Sequence, residues 1–294
     1  MNVSTLAARV RAKEIILRWP VRPKKCASLE CSRNRTFWPR SMDAMATVRF
    51  RGGEFCFPGC FSGELRRWLE QASSTVPAAC LKSWRMPLGL LLLARGDLTQ
   101  QQLQQALQAQ KCAGTGKIGE WLRQLGLAGE SEIAAALAQQ WSCPLVRALP
   151  SRPADCAVPA HLLRAFRMVP VHFSASTRAL HLAFAGSIAY KPLVCIEEML
   201  DLKTEPCLTT ERELAAALER IGDRQREGEK LFRNCRGVEE IVRIVSNYAG
   251  AFSAREIRGI RCGTLFWIRI LAKERSSDLL FSQQDIQHDG AAPH

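Results

Sequence analysis

The stretch PLGLLLLARGDLTQQQLQQALQAQ, residues 87–110, begins as an apolar run and continues as an amphipathic, glutamine-rich segment. The run from Leu88 to Ala94 is seven residues long, and Arg95 and Asp97 follow it. A bilayer crossing needs about 20 apolar residues, so this run predicts no membrane span. It does not resemble an export signal either, because 86 residues precede it and no cleavage pattern follows it.

The same pattern recurs thirty residues later in KIGEWLRQLGLAGESEIAAALAQQ, residues 117–140. The two copies align without a gap and share apolar residues at helical spacing and glycines at turns. Each copy predicts a short helix, a turn at Gly96 or Gly126, and a second helix that begins at Thr99 or Glu130. The repeat therefore predicts two helical hairpins. Core packing alone can explain it, because a four-helix bundle needs the same apolar positions twice.

The repeat also resembles the paired motif of the MshEN-type N-terminal domain of type II secretion and type IV pilus assembly ATPases. Each unit of that family reads Arg-Leu-Gly, then Leu, Gly, Leu, Leu and Gln at the spacings seen here, and the two units together bind cyclic di-GMP. The resemblance implies such a nucleotide site in this chain. The matching residues are Leu88, Gly89, Leu92, Gly96, Leu103, Leu107 and Gln110, and then Lys117, Ile118, Gly119, Leu122, Gly126, Ile133, Leu137 and Gln140.

One position departs from the family motif. The arginine that precedes Leu-Gly is replaced by Pro87 in the first copy and by Lys117 in the second. Lysine keeps the positive charge without the planar fork of arginine, whereas proline offers neither charge nor N–H. Arg85, two residues before Pro87, is a candidate substitute. We expect the second copy to be the stronger half-site, and both retention and loss of ligand binding stay open.

Residues 143–222 predict a small α/β half that follows the hairpins of residues 86–142. Short apolar strands are expected near 168–173, 179–185 and 204–208, with helices near 193–200 and 211–221. The family resemblance continues through this half and thus covers residues 86–222. Relatives usually carry an acidic-proline segment after the second strand, where this chain has AGSIAYKPLVCIEEML.

No catalytic motif emerges from the sequence. Relatives of this domain often continue into an ATPase, which needs a phosphate loop ending in Gly-Lys-Ser/Thr. The lookalike GTGKIG, residues 114–119, has Ile118 in place of the hydroxyl residue, and 72 residues after Gly222 are too few for an ATPase module. The spacing of the histidines is typical neither of a metal site nor of a catalytic triad. We therefore expect a nonenzymatic regulatory or adaptor protein that works with a secretion or pilus machinery protein.

Four of the twelve cysteines form two close pairs, CASLEC and CFPGC. Cys26, Cys31, Cys56 and Cys60 suit tetrahedral zinc, which would supply much of the folding energy of a small basic segment. A helix over 62–71 follows the second pair, as in a treble-clef-like finger. Coincidental clustering in a cysteine-rich chain is the alternative.

The N-terminal third carries most of the positive charge, with 16 Lys/Arg against 6 Asp/Glu in residues 1–85. A solvated basic face is one explanation, and binding to nucleic acid through Trp38 or Trp68 and the basic residues is the other. Arginines and lysines interrupt every apolar run of the basic extension 1–25, so no secretory signal is predicted. The expected location is cytoplasmic, with reduced cysteines.

The sequence as a whole predicts an α+β protein built from duplicated helical hairpins and a small α/β domain. A basic extension (1–25) and a zinc-binding segment (26–85) precede this MshEN-like region (86–222). A small α+β module (223–294) follows it, with a helix over 238–248, strands near 256–261, 265–271 and 278–281, and a disordered end.

Overall fold

A computed structural model of the protein describes residues 26–31, 47–74, 85–152, 154, 156–222, 228–273 and 275–282. The expected mixture of helices and strands is confirmed, and the strands form two sheets. No helix among the described residues is long and apolar enough to cross a membrane. The basic extension, Trp38 and the predicted disordered end lie outside the described residues.

Helices and strands follow one another irregularly along the described part of the chain. In chain order they are β1 Thr47–Phe50, β2 Gly53–Cys56, α1 Gly59–Ser74, α2 Leu88–Arg95, α3 Gln100–Ala113, α4 Ile118–Gln124, α5 Glu130–Trp141, α6 Ala160–Ala165, β3 Val169–Ser174, β4 Ala179–Phe184, α7 Tyr190–Leu200, β5 Lys203–Leu208, α8 Glu211–Gly222, β6 Glu229–Phe232, α9 Val238–Ala251, β7 Glu256–Cys262, β8 Leu265–Leu271 and β9 Ser276–Ser282.

Local sequence signals set the ends of the hairpin helices. Helix α2 ends at Gly96, which adopts a left-handed φ of 79°. Helix α3 begins after Thr99, whose side chain accepts the Gln102 N–H while the Gln102 side chain accepts the Thr99 N–H. This reciprocal capping satisfies two backbone donors that the helix itself leaves unpaired. The predicted turns and helix starts of the first hairpin are therefore confirmed.

The two hairpins pack crosswise, with α2 against α5 and α3 against α4. Glycine permits close packing within and between the hairpins, because a Cβ at Gly89 on α2 would lie 2.6 Å from Leu103 Cδ1 on α3 of the same hairpin. At the equivalent Gly119, a Cβ would lie 3.3 Å from Leu88 Cδ2 and 3.4 Å from Ile133 Cγ2. The shared glycine of the two copies thus has a packing role that is independent of any ligand.

The α/β half contains the sheet β3-β4-β5, in which β3 pairs antiparallel and β5 pairs parallel to β4. Helix α7 begins at Tyr190, three residues before the predicted start, because Pro192 occupies its first turn, where a missing N–H costs nothing. Helix α6 was not predicted. The C-terminal end of the hairpin unit connects to this sheet through a parallel bridge between Leu145 and Leu208.

The larger sheet joins the two ends of the described chain in the order β2-β1-β7-β8-β9-β6. Strand β1 lies parallel to β7, with Arg49 opposite Glu256 and Phe50 opposite Ile257. The cysteine-rich segment and the C-terminal segment therefore share one sheet, although the sequence presents them as separate modules. The segment boundaries predicted from the sequence stay a prediction.

Alternating side chains of the larger sheet enter two different cores. Phe266, Ile268 and Phe281 pack in a core that α1 and α9 cover. Trp267 and Leu280, one residue away along each strand, belong to the core of the α/β half. Strand β8 is therefore buried on both faces, and its second face packs against the MshEN-like region.

Replacing Gly259 on β7 tests the packing of the shared sheet. A Cβ there would lie 2.9 Å from Cη2 of Trp68, which is buried edge-on between Phe50 and Phe266. We expect Gly259→Ala to lower the free energy of unfolding by about 1 to 3 kcal/mol through overpacking. Urea unfolding followed by tryptophan fluorescence measures this change.

Gly63, in the interior of α1, provides a matched control. A Cβ at this position meets no atom within 4 Å. Gly63→Ala should raise stability by about 0.5 to 1 kcal/mol, because alanine loses less backbone entropy in a helix. Equal stability of the two alanine variants would contradict the tight fit of β7 against Trp68.

Candidate functional site

The structure separates the residues of the duplicated motif into a buried set and an accessible set. Leu88, Leu92, Leu103 and Leu122 are at most 9% exposed and build the core of the hairpins. Leu107 is 47% exposed on α3. Among the apolar motif positions, Leu107 is thus the one whose side chain is most available to a ligand. The remaining apolar motif residues, Ile118, Ile133 and Leu137, pack at the edge of the core.

The two motif glutamines fasten each hairpin to the start of the other. Gln110 at the end of the first copy donates from Nε2 to the Gly116 carbonyl at 2.8 Å. Gln140 at the end of the second copy donates from Nε2 to the Met86 carbonyl at 2.6 Å. Each acceptor immediately precedes the position that is arginine in the family motif. The exchange gives the hairpins an approximate two-fold symmetry.

The residues at the substituted arginine position stand at equivalent places in the fold. Pro87 and Lys117 are the N-caps of α2 and α4, and both are exposed. The Lys117 backbone N–H donates to Glu120 at 3.2 Å. The Arg85 guanidinium lies 3.4 Å from the centre of the Trp141 ring, so it stacks on that ring. The structure therefore does not support Arg85 as a substitute for the missing arginine.

A cavity of 510 Å³ opens where α3 passes into the linker before α4. The sequence did not reveal it, since its wall is formed by the folding back of this linker. Gly116 adopts a φ of 87°, and Trp121 Nε1 donates to the Thr115 carbonyl at 3.0 Å. The cavity therefore adjoins the chain that leads into Lys117. Its lining residues are Leu107, Gln110, Lys111, Gly114, Thr115 and Gly116.

The lookalike of a phosphate loop coincides with this linker, as the sequence predicts. Gly114 ends α3 in a left-handed conformation, and α4 contains only seven residues. The glycines therefore serve the turn between two antiparallel helices.

The four cysteines of the two predicted pairs come together. Their sulfur atoms all lie within 4.8 Å of one another, and Cys31 and Cys56 Sγ are 3.9 Å apart. A zinc tetrahedron with bonds of about 2.3 Å has sulfur–sulfur edges of roughly 3.8 Å, so the arrangement fits this metal. Cys26 and Cys31 come from a loop, Cys56 ends β2, and Cys60 lies in the first turn of α1. This order of loop, hairpin and helix agrees with the predicted finger.

The thiols of this cluster influence one another's protonation. Burial acts to raise the pKa of Cys26, but hydrogen bonds from the backbone of Cys56 and Ser28 and from neighbouring thiols outweigh it and lower this pKa. Burial, together with hydrogen bonds to Cys31 and Cys26 and with their charges, raises the pKa of Cys60 to about 12. Four thiolates can therefore coexist here only with a compensating cation.

Two details bear on the other sequence-based hypotheses. Trp68 is 6% exposed and packs against Phe50 and Phe266, so the prediction that it stacks on nucleic-acid bases is wrong. His172 on β3 lies opposite His181 on β4 with ring centroids 5.7 Å apart, and His181 Nδ1 is 3.4 Å from Glu205.

Comparisons with known proteins find similarity over slightly less than half of the chain. It is 28% identical over 135 residues to the type IV pilus assembly ATPase PilB of Thermus thermophilus, covering 45% of this chain and 15% of that ATPase. A solved structure described as MshE with cdg matches at 27% identity and a TM-score of 0.40, covering 47% of this chain and 99% of MshE. The solved N-terminal domain of XpsE matches at 24% identity and a TM-score of 0.36, covering 45% and 92%.

No protein-family model matches the chain. About 45% of the chain is nevertheless similar to part of a type IV pilus assembly ATPase, and it spans 15% of the length of that ATPase. The resemblance drawn from the duplicated motif is therefore confirmed.

Gln140→Ala tests the exchange of glutamines between hairpins. Loss of the bond to the Met86 carbonyl should lower the free energy of unfolding by about 0.5 to 1.5 kcal/mol. Exposed Gln104 on α3 is a control, and its change to alanine should alter stability by less than about 0.5 kcal/mol. Chemical denaturation measures both, and equal effects of the two changes would argue against a specific role for Gln140.

Proposed function

We propose that this chain is a nonenzymatic regulatory or adaptor protein that binds cyclic di-GMP through its duplicated hairpins. The observation that carries the proposal is the cavity at the linker between the two copies, which is lined by the exposed Leu107 and by Gln110 of the first copy and adjoins the chain that leads into Lys117. Of the motif residues in and beside this cavity, Leu107, Gln110 and Lys117 remain partly or fully accessible. The resemblance of the motif to the MshEN type is the reason for choosing cyclic di-GMP as the ligand. The description of the MshE structure names the same compound.

The chemistry of the cavity suits one half of that ligand. Cyclic di-GMP has two guanine faces and two phosphates related by a two-fold axis, so an approximately two-fold protein surface matches it. The exposed Leu107 side chain offers an apolar surface to a purine, and the Lys117 ammonium offers a charge-assisted bond to a phosphate or to guanine O6. The first copy offers Pro87 at the equivalent place and has no such cation. We therefore assign the dominant cation contact to Lys117 of the second copy, with Leu107 of the first copy supplying the apolar surface.

The regulatory role follows from where similar domains are found. PilB is named as a type IV pilus assembly ATPase, and the similar segment is a small part of it. In this chain the similar region packs on a sheet that the remaining described segments build. A ligand-dependent contact with a secretion or pilus machinery protein is the function that we assign to this combination.

Calorimetric titration with cyclic di-GMP tests the nucleotide site. Lys117→Ala should weaken binding by about 1 to 3 kcal/mol, because it removes a charge-assisted contact. Leu107→Ala should weaken binding as well, and Pro87→Arg should strengthen it by supplying the missing fork. These residues are exposed, so the melting temperature should stay nearly unchanged. Lys203→Ala, which removes an exposed lysine from β5, is the matched control and should bind as wild type does.

A negative result gives the duplication a different meaning. If wild type and Pro87→Arg both fail to bind at about 100 µM ligand, the corresponding free energy is weaker than roughly 5.5 kcal/mol and the proposal is rejected. The hairpins would then be a packing unit. Their repeated motif would serve only the close helix packing at the glycines and the hydrogen bonds of the two glutamines.

We further propose that the four-cysteine cluster holds one zinc ion in a structural site. Four sulfur ligands close the coordination shell and leave no position for a substrate, which favours a structural over a catalytic role. The ligands join the loop at Cys26 and Cys31 to the end of β2 and to the start of α1. The metal would thereby hold the edge of the larger sheet and its covering helix together.

Elemental analysis tests the metal site directly. Protein purified under reducing conditions without a chelator should carry about one zinc ion per chain. The double replacement Cys56→Ser and Cys60→Ser should abolish the metal and lower the melting temperature. Cys112→Ser changes an exposed cysteine outside the cluster and should leave both unchanged. Release of zinc from wild type by a chromogenic chelator should lower the melting temperature in step, and metal-free wild type would reject the site.

A further inference from the structure

Two histidines that are nine residues apart in the sequence stand side by side on the small sheet. His172 on β3 lies opposite His181 on β4, and their ring planes are inclined by 35° with centroids 5.7 Å apart. Glu205 on β5 lies opposite His181 in turn. Residues that lie opposite one another on paired strands point to the same face. Three neighbouring strands thus present two imidazoles and a carboxylate in one row.

A β-bulge in β3 creates this row. Pro170 pairs with Leu182 and His172 pairs with His181, so Val171 is the extra residue. Regular antiparallel pairing would have placed Val171 opposite His181 and turned His172 to the other face. Pro170 has no N–H to offer the ladder, which accounts for an irregularity at this point. Bulges often re-aim a side chain beside a binding site, and this one converts a valine–histidine pair into a histidine pair.

Both imidazoles can be reached from solvent. His172 and Glu205 are exposed, and the side chain of His181 is 33% exposed. Within the part of the chain that the structure describes, no hydrogen bond engages a ring nitrogen of either histidine. Nδ1 of His181 lies 3.4 Å from Oε2 of Glu205. A carboxylate in this place favours the proton on Nδ1 and leaves the lone pair of Nε2 for a ligand.

The spacing of the two rings suits one shared metal ion. A zinc ion at about 2.0 to 2.1 Å from a ring nitrogen lies roughly 3.2 Å from the ring centroid. Two imidazoles on one zinc ion therefore have centroids about 5 to 6 Å apart at tetrahedral or slightly wider angles. The observed 5.7 Å falls within this range. Small rotations of accessible side chains are then enough to direct both rings at one ion.

The charges around the pair do not select a cation by themselves. Lys203, two residues before Glu205 on the same face of β5, offsets the carboxylate, and Arg178 at the β3–β4 turn pairs with Asp201. Any affinity must therefore come from the nitrogen lone pairs. Imidazole ligands suit zinc, copper and nickel, whereas magnesium and calcium prefer oxygen ligands.

We propose that His172 and His181 together bind a zinc ion or a similar transition-metal ion. Glu205 is a positioning residue that acts through His181, and water completes the coordination. Because the two ligands come from adjacent strands, the ion would clamp β3 to β4. The site shares no residue with the cysteine cluster or with the cavity beside the linker.

Calorimetric titration with zinc tests the histidine pair. Wild-type protein that has first received one equivalent of zinc, in reducing buffer, should bind a further ion. His172→Ala and His181→Ala should each weaken this binding at least tenfold, and the double replacement should weaken it little further, because loss of either imidazole already breaks the chelate. The side chains are accessible, so the melting temperature without added metal should stay nearly unchanged. Magnesium should give no heat of binding.

His161→Ala is the matched control, since it removes a histidine on α6 outside the row. It should leave zinc affinity within about twofold of wild type. Glu205→Gln keeps the size of the side chain without its charge, and it should weaken zinc binding about three- to tenfold at an unchanged melting temperature.

The histidine variants identify the site, so the result does not depend on whether the cysteine cluster holds zinc. Equal zinc affinities of wild type and either histidine variant would overturn the proposal. An equal loss in His161→Ala would also overturn it, as would no further binding by wild type at about 100 µM zinc. Equal affinities of wild type and Glu205→Gln would overturn the positioning role of Glu205.

Discussion

The two-sided burial of strands β8 and β9 is the constraint on which the rest of the structure depends. Successive residues of a strand point to opposite faces, so Trp267 and its neighbours Phe266 and Ile268 must enter different cores. One core needs α1 and α9, and the other needs the α/β half. The cysteine-rich segment, the middle region and the C-terminal segment are thereby bound into one molecule, and a change in any of them reaches the same sheet.

Within the hairpins, packing and the proposed ligand binding involve different members of one motif. Glycines at 89 and 119 permit the helices to pack closely, and glutamines at 110 and 140 tie each copy to the start of the other. Leu107 and Lys117 are left at the surface, beside a cavity that the linker creates. The repeat can therefore be retained for packing while the residues available to a ligand change. Pro87, which replaces the arginine of the family motif, is such a change.

The cysteine cluster and the β1–β2 turn lie at the two ends of one short hairpin. Cys56 ends β2 and contributes to the cluster, whereas Arg51 and Gly52 form the opposite turn. A zinc ion would fix the first end, and the pairing of β1 with β7 fixes the hairpin against the sheet. The pairing with β7 holds the strand that leads into the turn at Arg51, whose positive φ costs roughly 1 to 3 kcal/mol.

Local signals in the sequence determined the helical hairpins, the capping of α3 at Thr99, and the approximate positions of strands β3 to β5 and β7 to β9, because each depends on residues close in the chain. The cysteine spacing likewise indicated a shared site. The tertiary structure alone decided that β1 pairs with β7, about 200 residues away, and that Trp68 is buried rather than available to bases. It also decided which motif residues stay accessible and where the cavity beside the linker opens. These features arise from contacts between distant segments, whose pairing no local pattern of apolar residues or turns specifies.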